Sequence, residues 1–241
     1  MWPHLTLNRT QSKALLPTFA PQILDTPIQP QQTATNVIQD RCKQLRITMS
    51  FEKQKIIIWK REDDETNTSE TLQFKEYRKD FIVKSIINGL LEGQPILIEY
   101  QIIIDRNWIV KEVEIKSLLE KTNKITLKSN SNGKWYNVDN QEILELDNCI
   151  DIDISITPFT NTLPIKRLEN SLEQKTKITV LYFDIKNWSF KKVEQYYTKL
   201  TDNLYKYEGV FRNFVADLPV DNFGFVITYP GLFERIFPKN E

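Results

Sequence analysis

Two carboxylates near the middle of the chain, Asp151 and Asp153, are spaced so that they could act together. They belong to residues 149–157, where apolar and polar residues alternate without a break. In a β-strand this alternation places the isoleucines on one face and both aspartates on the other, about 7 Å apart at Cα. Carboxylates at such a separation could serve as the acid and base of glycoside hydrolysis. The more common origin of such a row is the solvent-facing side of a half-buried strand.

Residues 158–168 add hydroxyl, amide and guanidinium groups directly after this row. Thr160, Asn161 and Thr162 could hold the hydroxyl groups of a ligand, although Thr and Asn more often cap helices and form turns. Arg167 could pair with either aspartate or with another surface carboxylate. The four candidate ligand-binding residues are Asp151, Asp153, Asn161 and Arg167.

Residue counts exclude several other kinds of active site. The single histidine, His4, lies in an N-terminal stretch that we expect to be disordered, so the folded part lacks an imidazole for a Ser/His/Asp system or a zinc site. The six glycines form neither a phosphate loop nor a dinucleotide-binding pattern. We therefore predict no catalytic residue, no metal site and no cofactor. Carboxylate-based hydrolysis is the one enzymatic class with any support.

Short strands are the elements that would position these residues. From residue 56 onward, runs rich in β-branched and aromatic residues are separated by turn residues at intervals of about ten. This pattern predicts an all-β, mainly antiparallel fold, a curled meander forming a spiral β-roll or half-open barrel with one or two short helices. Residues 161–169 are the expected helix, residues 191–200 are ambiguous between strand and helix, and residues 230–237 are expected to form a short turn. The predicted strands are residues 55–60, 71–77, 81–87, 96–104, 108–115, 124–129, 134–138, 143–146, 150–156, 177–185, 203–208, 213–218 and 224–229.

Short connections indicate how neighbouring strands pair. Residues 96–104 and 108–115 are separated by three residues, too few for a parallel crossover, so they should form an antiparallel hairpin. Residues 81–87 are expected to end at Asn88 and Gly89, a dipeptide typical of turns. The residues expected on the buried face of the first hairpin strand are Ile96, Ile98, Tyr100, Ile102 and Ile104.

The first 48 residues differ in composition from the rest of the chain. They contain five prolines among Gln, Thr and Asn and show no sustained period of 2 or 3.6 residues. We expect residues 1–48 to be a disordered extension. Met49 begins a stretch typical of a compact β-domain, which makes it a candidate for the true start of the chain. The predicted organisation is therefore one folded domain over residues 49–241.

Charge and cysteine content bound the partners and the compartment. The 32 Lys and Arg residues balance the 32 Asp and Glu residues, so overall charge attracts neither nucleic acid nor an anionic membrane. No apolar run approaches the length of about 18 residues that a membrane-spanning helix needs. The N-terminus lacks the pattern of a signal peptide, and two cysteines are too few for a disulfide framework. These features predict a cytoplasmic protein.

The run DIDISITPFTNTLPIKRL, residues 151–168, resembles the central signature of the bacterial glycolipid-binding family, also described as a spiral β-roll domain. Further similar segments include residues 133–135 before the signature, and residues 214–221 and 229–235 after it. The resemblance spans about residues 56–235 and leaves the first 48 residues unmatched. A small departure is Lys166, which stands where arginine is common.

The resemblance implies a curled sheet that encloses an apolar groove and holds a glycolipid or another amphipathic ligand. On this hypothesis the four candidate residues form the polar rim of the groove. Two alternatives stay open: a hydrolase acting on a glycan or lipid headgroup through the two aspartates, and a non-catalytic module whose strand edges pair with a protein. The aromatic residues that could line a groove are Trp59, Tyr100, Trp108, Trp135, Tyr182, Trp188, Tyr196, Tyr197, Tyr205, Tyr207 and Tyr229.

Overall fold

The computed structural model describes residues 54–210 and 213–239. The expectations for residues 1–48, and for Met49 as the start of the chain, concern residues outside these ranges. Within them the chain forms two β-sheets and a few short helical segments. None of the helices in this part of the chain combines the length and the apolar character needed to cross a bilayer.

The larger sheet has nine strands. Its strands are β1 (Gln54–Glu62), β2 (Asn67–Tyr77), β3 (Asp80–Leu91), β4 (Gln94–Asp105), β5 (Val110–Ser117), β6 (Lys124–Ser129), β7 (Trp135–Tyr136), β13 (Thr228–Tyr229) and β14 (Phe233–Phe237). Strands β1 to β7 are consecutive antiparallel neighbours because short connections join them. Strands β14 and β13 extend the sheet beyond β1. The predicted hairpin over residues 96–115 is confirmed as β4 and β5.

The smaller sheet has five strands in the order β12-β11-β10-β9-β8. Its strands are β8 (Asp151–Ile154), β9 (Thr176–Asp184), β10 (Ser189–Thr201), β11 (Leu204–Gly209) and β12 (Phe214–Pro219). Strands β8 and β9 pair in parallel, and the crossover between them contains the helix α1 (Thr162–Leu168). The predicted short helix is therefore confirmed, and the ambiguous residues 191–200 lie in strand β10.

The predicted fold class is confirmed: the described chain is mostly antiparallel β-sheet, with one short α-helix and no closed barrel. Two hydrophobic clusters hold it together. The first lies between the sheets and joins Trp59, Tyr100 and Trp135 of the larger sheet to Ile152 and Phe183 of the smaller one. The second covers the opposite face of the smaller sheet. Its members include Val180, Tyr197, Tyr207, Tyr229, Phe233 and Ile165 of α1.

The predicted strand at residues 143–146 is wrong. This segment is a 3-10 helix, Leu144–Leu146, in which only Leu146 is buried. Four residues are too short a run to distinguish a period of 2 from a helical period. Here the chain turns from β7 toward β8, and Cys149 N donates to Leu146 O at 3.1 Å.

The predicted turn at residues 230–237 is also wrong over most of its length, because β14 pairs with β1. Arg235, opposite Trp59 in that pairing, is buried although it is charged. Its Nη1 donates to Asp221 Oδ2 at 2.5 Å, and Asp221 also accepts from the backbone amides of Phe223 and Phe225. A partner distant in sequence thus stabilises a strand in which a charged residue points inward.

The predicted strand end at Asn88 and Gly89 is wrong as well, since β3 continues to Leu91. Gly89 has a φ of 132°, and a Cβ there would lie 2.0 Å from Asn67 O on β2. The glycine therefore permits a close approach of two paired strands rather than a turn. The turn itself lies further along, at Glu92 and Gly93, both of which have positive φ.

Candidate functional site

Strand β8 is covered on both faces, and Asp153 alone among its four residues is partly exposed. Its isoleucines point into the cluster between the sheets, as the alternation predicted. Asp151 is only 1% exposed, so the interpretation of the aspartate row as solvent-facing is wrong for this residue. The reason is the crossover after β8, which brings α1 back over that face of the strand.

Asp151 is neutralised by Arg167 of α1. Arg167 Nε donates to Asp151 Oδ1 at 3.0 Å and Nη2 donates to Oδ2 at 2.5 Å, which is a two-point ion pair. Burial raises the pKa of the Asp151 carboxyl above its usual range, while the hydrogen bonds and charge of Arg167 oppose this rise. The pair ties α1 to β8. Neither side chain lines the pocket described next.

The concavity that best suits a ligand lies over the second hydrophobic cluster, between β8, β10, β11 and the C-terminal hairpin. We call it the tyrosine pocket. Its volume is about 160 Å³. The residues that line it are Asp153, Ile154, Ser155, Thr157, Asn161, Tyr182, Val193, Glu194, Gln195, Tyr207, Gly209, Phe214, Tyr229, Leu232 and Phe233.

A larger concavity, of about 280 Å³, is less suited to specific binding. It is bounded by Arg61, Glu92, Asp184 and Lys186. Lys186 pairs with Glu92, and both side chains are about half exposed to solvent. Exposed ion pairs are weakly held in place, so they form a poor template for a ligand.

Aromatic side chains form most of the apolar wall of the tyrosine pocket. The ring of Tyr207 lies 6.0 Å from that of Tyr229 and 6.4 Å from that of Phe214, and Tyr229 lies 6.1 Å from Phe233. Burial raises the pKa of Tyr229 far above its usual value, with a further contribution from the neighbouring Tyr207 hydroxyl and Asp153 carboxylate. The Tyr229 hydroxyl therefore stays protonated.

Asp153 supplies the carboxylate of the pocket. Gln195 Nε2 on β10 donates to its Oδ2 at 2.6 Å, and Thr160 Oγ1 lies 3.4 Å from its Oδ1. Gln195 is 3% exposed, so the amide that holds the carboxylate is itself fixed by packing. The Asp153 carboxylate therefore lines the pocket in a fixed orientation.

Asn161 is held from two sides. Tyr197 Oη donates to its Oδ1 at 2.8 Å, and its Nδ2 donates to Pro158 O at 3.1 Å. Burial, the largest effect, raises the pKa of Tyr197 well above its usual range, so its hydroxyl keeps the proton that it donates. The second Nδ2 hydrogen of Asn161 remains for a ligand oxygen.

The four predicted site residues thus fall into two pairs. Asp153 and Asn161 both line the tyrosine pocket, whereas Asp151 and Arg167 bind each other beside it. Of the aromatic residues predicted to line a groove, Tyr182, Tyr207 and Tyr229 do so, and Trp59, Tyr100 and Trp135 pack between the sheets.

Sequence reasoning missed Gln195, Gly209, Phe214 and Phe233. One signal could have identified Gln195. It lies two residues from both Val193 and Tyr197 on β10, so it is a polar residue on an otherwise apolar strand face. Strand β14 carried no such signal, because a charged residue, Arg235, occupies one of its inward-facing positions. In the described ranges, no group of three His, Cys, Asp or Glu residues could hold a metal ion.

Comparison with known proteins agrees with this architecture. The family model described as "Putative glycolipid-binding" matches residues 56–235. The chain is also similar to the crystal structure of a DUF1089 family protein from Pseudomonas aeruginosa, with 32% identity and a TM-score of 0.62 over 70% of this chain and 92% of that one. None of the curated proteins compared with the chain matches it. Because the family model covers well over half of the sequence, this chain belongs to the Putative glycolipid-binding family.

Proposed function

We propose that this protein binds a glycolipid, or an amphipathic molecule of similar chemistry, by its sugar headgroup in the tyrosine pocket. The observation that carries the proposal is the combination of aromatic walls with fixed acceptors and donors. Sugars present an apolar C–H face that packs on aromatic rings, together with hydroxyls that hydrogen-bond to carboxylates and amides. Tyr207 and Tyr229 offer the first kind of surface, and Asp153 and Asn161 offer the second.

The size of the pocket supports a headgroup rather than a whole lipid. Pockets for drug-sized ligands measure about 300 to 1,000 Å³, so a pocket of about 160 Å³ is suited to a single sugar ring or a group of similar size. An acyl chain would therefore lie outside it. Phe214 and Leu232, both partly exposed, form an apolar edge at which such a chain could begin.

Pre-organisation also supports binding. The Gln195 and Tyr197 side chains that orient Asp153 and Asn161 are themselves buried, so little side-chain freedom is lost when a ligand arrives. The hydrolase alternative finds less support, because it needs two available carboxylates. Of the aspartate pair, Asp151 is already occupied by Arg167.

Titration with octyl β-glucoside, below the concentration at which it forms micelles, tests the proposal. Binding would be followed by calorimetry and by chemical-shift changes at Asn161 and Gln195, with methyl β-glucoside as the headgroup alone. We expect Asp153→Asn to weaken binding about 10-fold or more, because it removes a charged hydrogen-bond acceptor.

Asp217→Asn on β12 is the matched control, because its side chain is exposed and outside the pocket. It should bind the probe like the wild type. Saturable binding that is insensitive to Asp153→Asn would contradict the proposed site. Absence of saturable binding across a panel of alkyl glycosides and glycolipids would contradict the proposed function.

A further inference from the structure

A buried polar cluster lies between the two sheets, outside the tyrosine pocket. At its centre is the carboxyl of Glu70 on β2, which is 3% exposed. Tyr100 Oη on β4 donates to Glu70 Oε1 at 2.5 Å, and Ser85 Oγ on β3 donates to the same oxygen at 2.8 Å. The other oxygen, Oε2, is buried and makes no hydrogen bond to the described residues. Buried polar atoms rarely lack a hydrogen bond, so Oε2 is an unusual unsatisfied acceptor.

Among the described residues, no positively charged side chain hydrogen-bonds to the Glu70 carboxyl. Arg235 on β14, opposite Trp59, is buried but is paired with Asp221. Arg61, further along β1, is paired with Asp63. Tyr100 is titratable, but burial and the nearby Glu70 raise its pKa well above its usual range, so it stays protonated. The side chains that face the carboxyl from neighbouring elements are Trp59 on β1, Ser85 and Ile87 on β3, Tyr100 on β4 and Thr157 after β8.

Burial therefore dominates the ionisation of Glu70. It raises the pKa of this carboxyl from 4.5 to about 7, against the opposing influence of the nearby Thr157, Tyr100 and Ser85 hydroxyls. The carboxyl gains and loses its proton near neutral pH. Each change alters what its neighbours must donate or accept.

Thr157 connects this cluster to the tyrosine pocket. Its Oγ1 lies 3.3 Å from Tyr100 Oη. Since Tyr100 donates its single hydroxyl proton to Glu70, the hydroxyl of Thr157 must donate to Tyr100. Thr157 Oγ1 in turn accepts from Phe159 N at 3.1 Å, and Thr157 itself lines the pocket. The next residue, Pro158, accepts the side-chain hydrogen bond of Asn161.

We propose that Glu70 is a positioning residue for the tyrosine pocket, acting through Tyr100 and Thr157 on the pocket wall formed by residues 157–161. An ionised Glu70 accepts hydrogen bonds from Tyr100 and Ser85. A protonated Glu70 is a weaker acceptor and carries a proton that needs an acceptor of its own. The nearby acceptors are the hydroxyls of Ser85, Tyr100 and Thr157. Protonation therefore reverses the donors and acceptors along the hydrogen-bonded series Glu70, Tyr100 and Thr157, which we call the relay. The pocket wall shifts with this change.

Amide chemical shifts of the ligand-free full chain test this relay directly. We would follow the amides of Thr157, Phe159 and Asn161 between about pH 5 and about pH 9. The wild type should show one transition near pH 7 at these amides, and Glu70→Gln, which cannot ionise, should abolish it. Absence of the transition in the wild type would overturn the proposal.

Two further variants separate the relay from simple packing. Tyr100→Phe keeps the ring but removes the link, so Thr157 should no longer respond to pH. Ser85→Ala removes the other hydrogen bond to the same carboxyl oxygen and leaves the link intact, so the response should persist. Because that bond favours the charged form, the transition in Ser85→Ala should move to higher pH. A response that survives Tyr100→Phe would contradict the route, whether or not Glu70→Gln folds.

The effect on ligand affinity rests on the proposed function. With octyl β-glucoside, the wild-type affinity should change several-fold between about pH 6 and about pH 8, and that of Glu70→Gln should not. If the amide transition is present but no ligand binds, the proposed function is wrong and the relay stands. If the ligand binds, but neither its affinity nor the amide shifts of the pocket wall change with pH, the relay is wrong and the proposed function stands.

Discussion

The hydroxyl of Tyr207 lies 2.8 Å from the point where a Cβ of Gly209 would stand. Both residues point to the covered side of β11, and both line the tyrosine pocket. Unlike the glycines at turns, Gly209 does not have a positive φ. The position therefore requires the absence of a side chain rather than an unusual backbone conformation, and this absence allows the ring of Tyr207 to lie where it does.

Gly209→Ala should change the shape of the pocket at little cost in stability. The added methyl group displaces the far end of the Tyr207 side chain, which can move, and leaves the backbone unstrained. We expect octyl β-glucoside to bind about 10-fold more weakly, with a shift of less than about 1 kcal/mol in the free energy of unfolding. Glu208→Ala, on the opposite face of β11, is the control. Wild-type affinity in Gly209→Ala would show that Tyr207 does not shape the binding surface.

The two aspartates of β8 should respond oppositely to substitution. Asp151→Ala leaves the Arg167 guanidinium, which is mostly buried, without its partner, and should cost about 3 kcal/mol of stability in urea denaturation. Asp153→Asn should lower ligand affinity and change stability much less. A double variant, Asp151→Leu with Arg167→Met, should recover most of the lost stability, because no buried charge remains. Equal effects of the two single substitutions on binding would mean that the pocket extends to Asp151.

Leu232 should matter for the tail of the ligand and not for its headgroup. It lies at the apolar edge of the pocket and is partly exposed. Leu232→Ser should weaken octyl β-glucoside about 3- to 10-fold, since burial of a few CH₂ groups is lost. The affinity for methyl β-glucoside should be unchanged, as measured by calorimetry. Equal losses for both probes would place Leu232 against the sugar instead.

The stability of the protein should depend on pH through Glu70. Its pKa is about 7 in the folded chain against 4.5 when exposed, so the folded state holds this proton more tightly. The resulting stabilisation is present below about pH 4.5 and is lost as pH rises to about 7. Relative to Glu70→Gln, the wild type should lose about 2 to 3 kcal/mol of unfolding free energy between about pH 5 and about pH 8. Parallel stability curves for the two proteins would show that Glu70 does not titrate in this range.

Much of the fold could be predicted because most strands carry their own signal. The alternation in β4 predicted the burial of Ile96, Ile98, Tyr100, Ile102 and Ile104. The last four are buried, and Ile96, nearer the end of the strand, is partly buried. The errors fall where local signals are short or ambiguous. A four-residue, mostly apolar segment contains a 3-10 helix. Strand β14 was missed because one of its inward-facing residues is an arginine, whose partner Asp221 lies in a separate loop.

The candidate site was predictable only in part. Helix-breaking and polar residues identified the segment after β8, and Asp153 and Asn161 do meet in the pocket. The sequence contained no information on which aspartate would pair with Arg167, since both lie on one strand face. The aromatic walls come from β9, β11, β12, β13 and β14, which no local pattern could bring together.

By itself, then, the sequence determined most of the strands, the side-chain alternation along them and the family, because a period of 2 and a distinctive run of residues are local properties. Only the tertiary structure decided what covers each face. The crossover that carries α1 buried Asp151 against Arg167, and the C-terminal hairpin closed the pocket over Asp153. A strand's alternation defines two faces but not their surroundings, and the surroundings decide whether a carboxylate is paired, buried or available to a ligand.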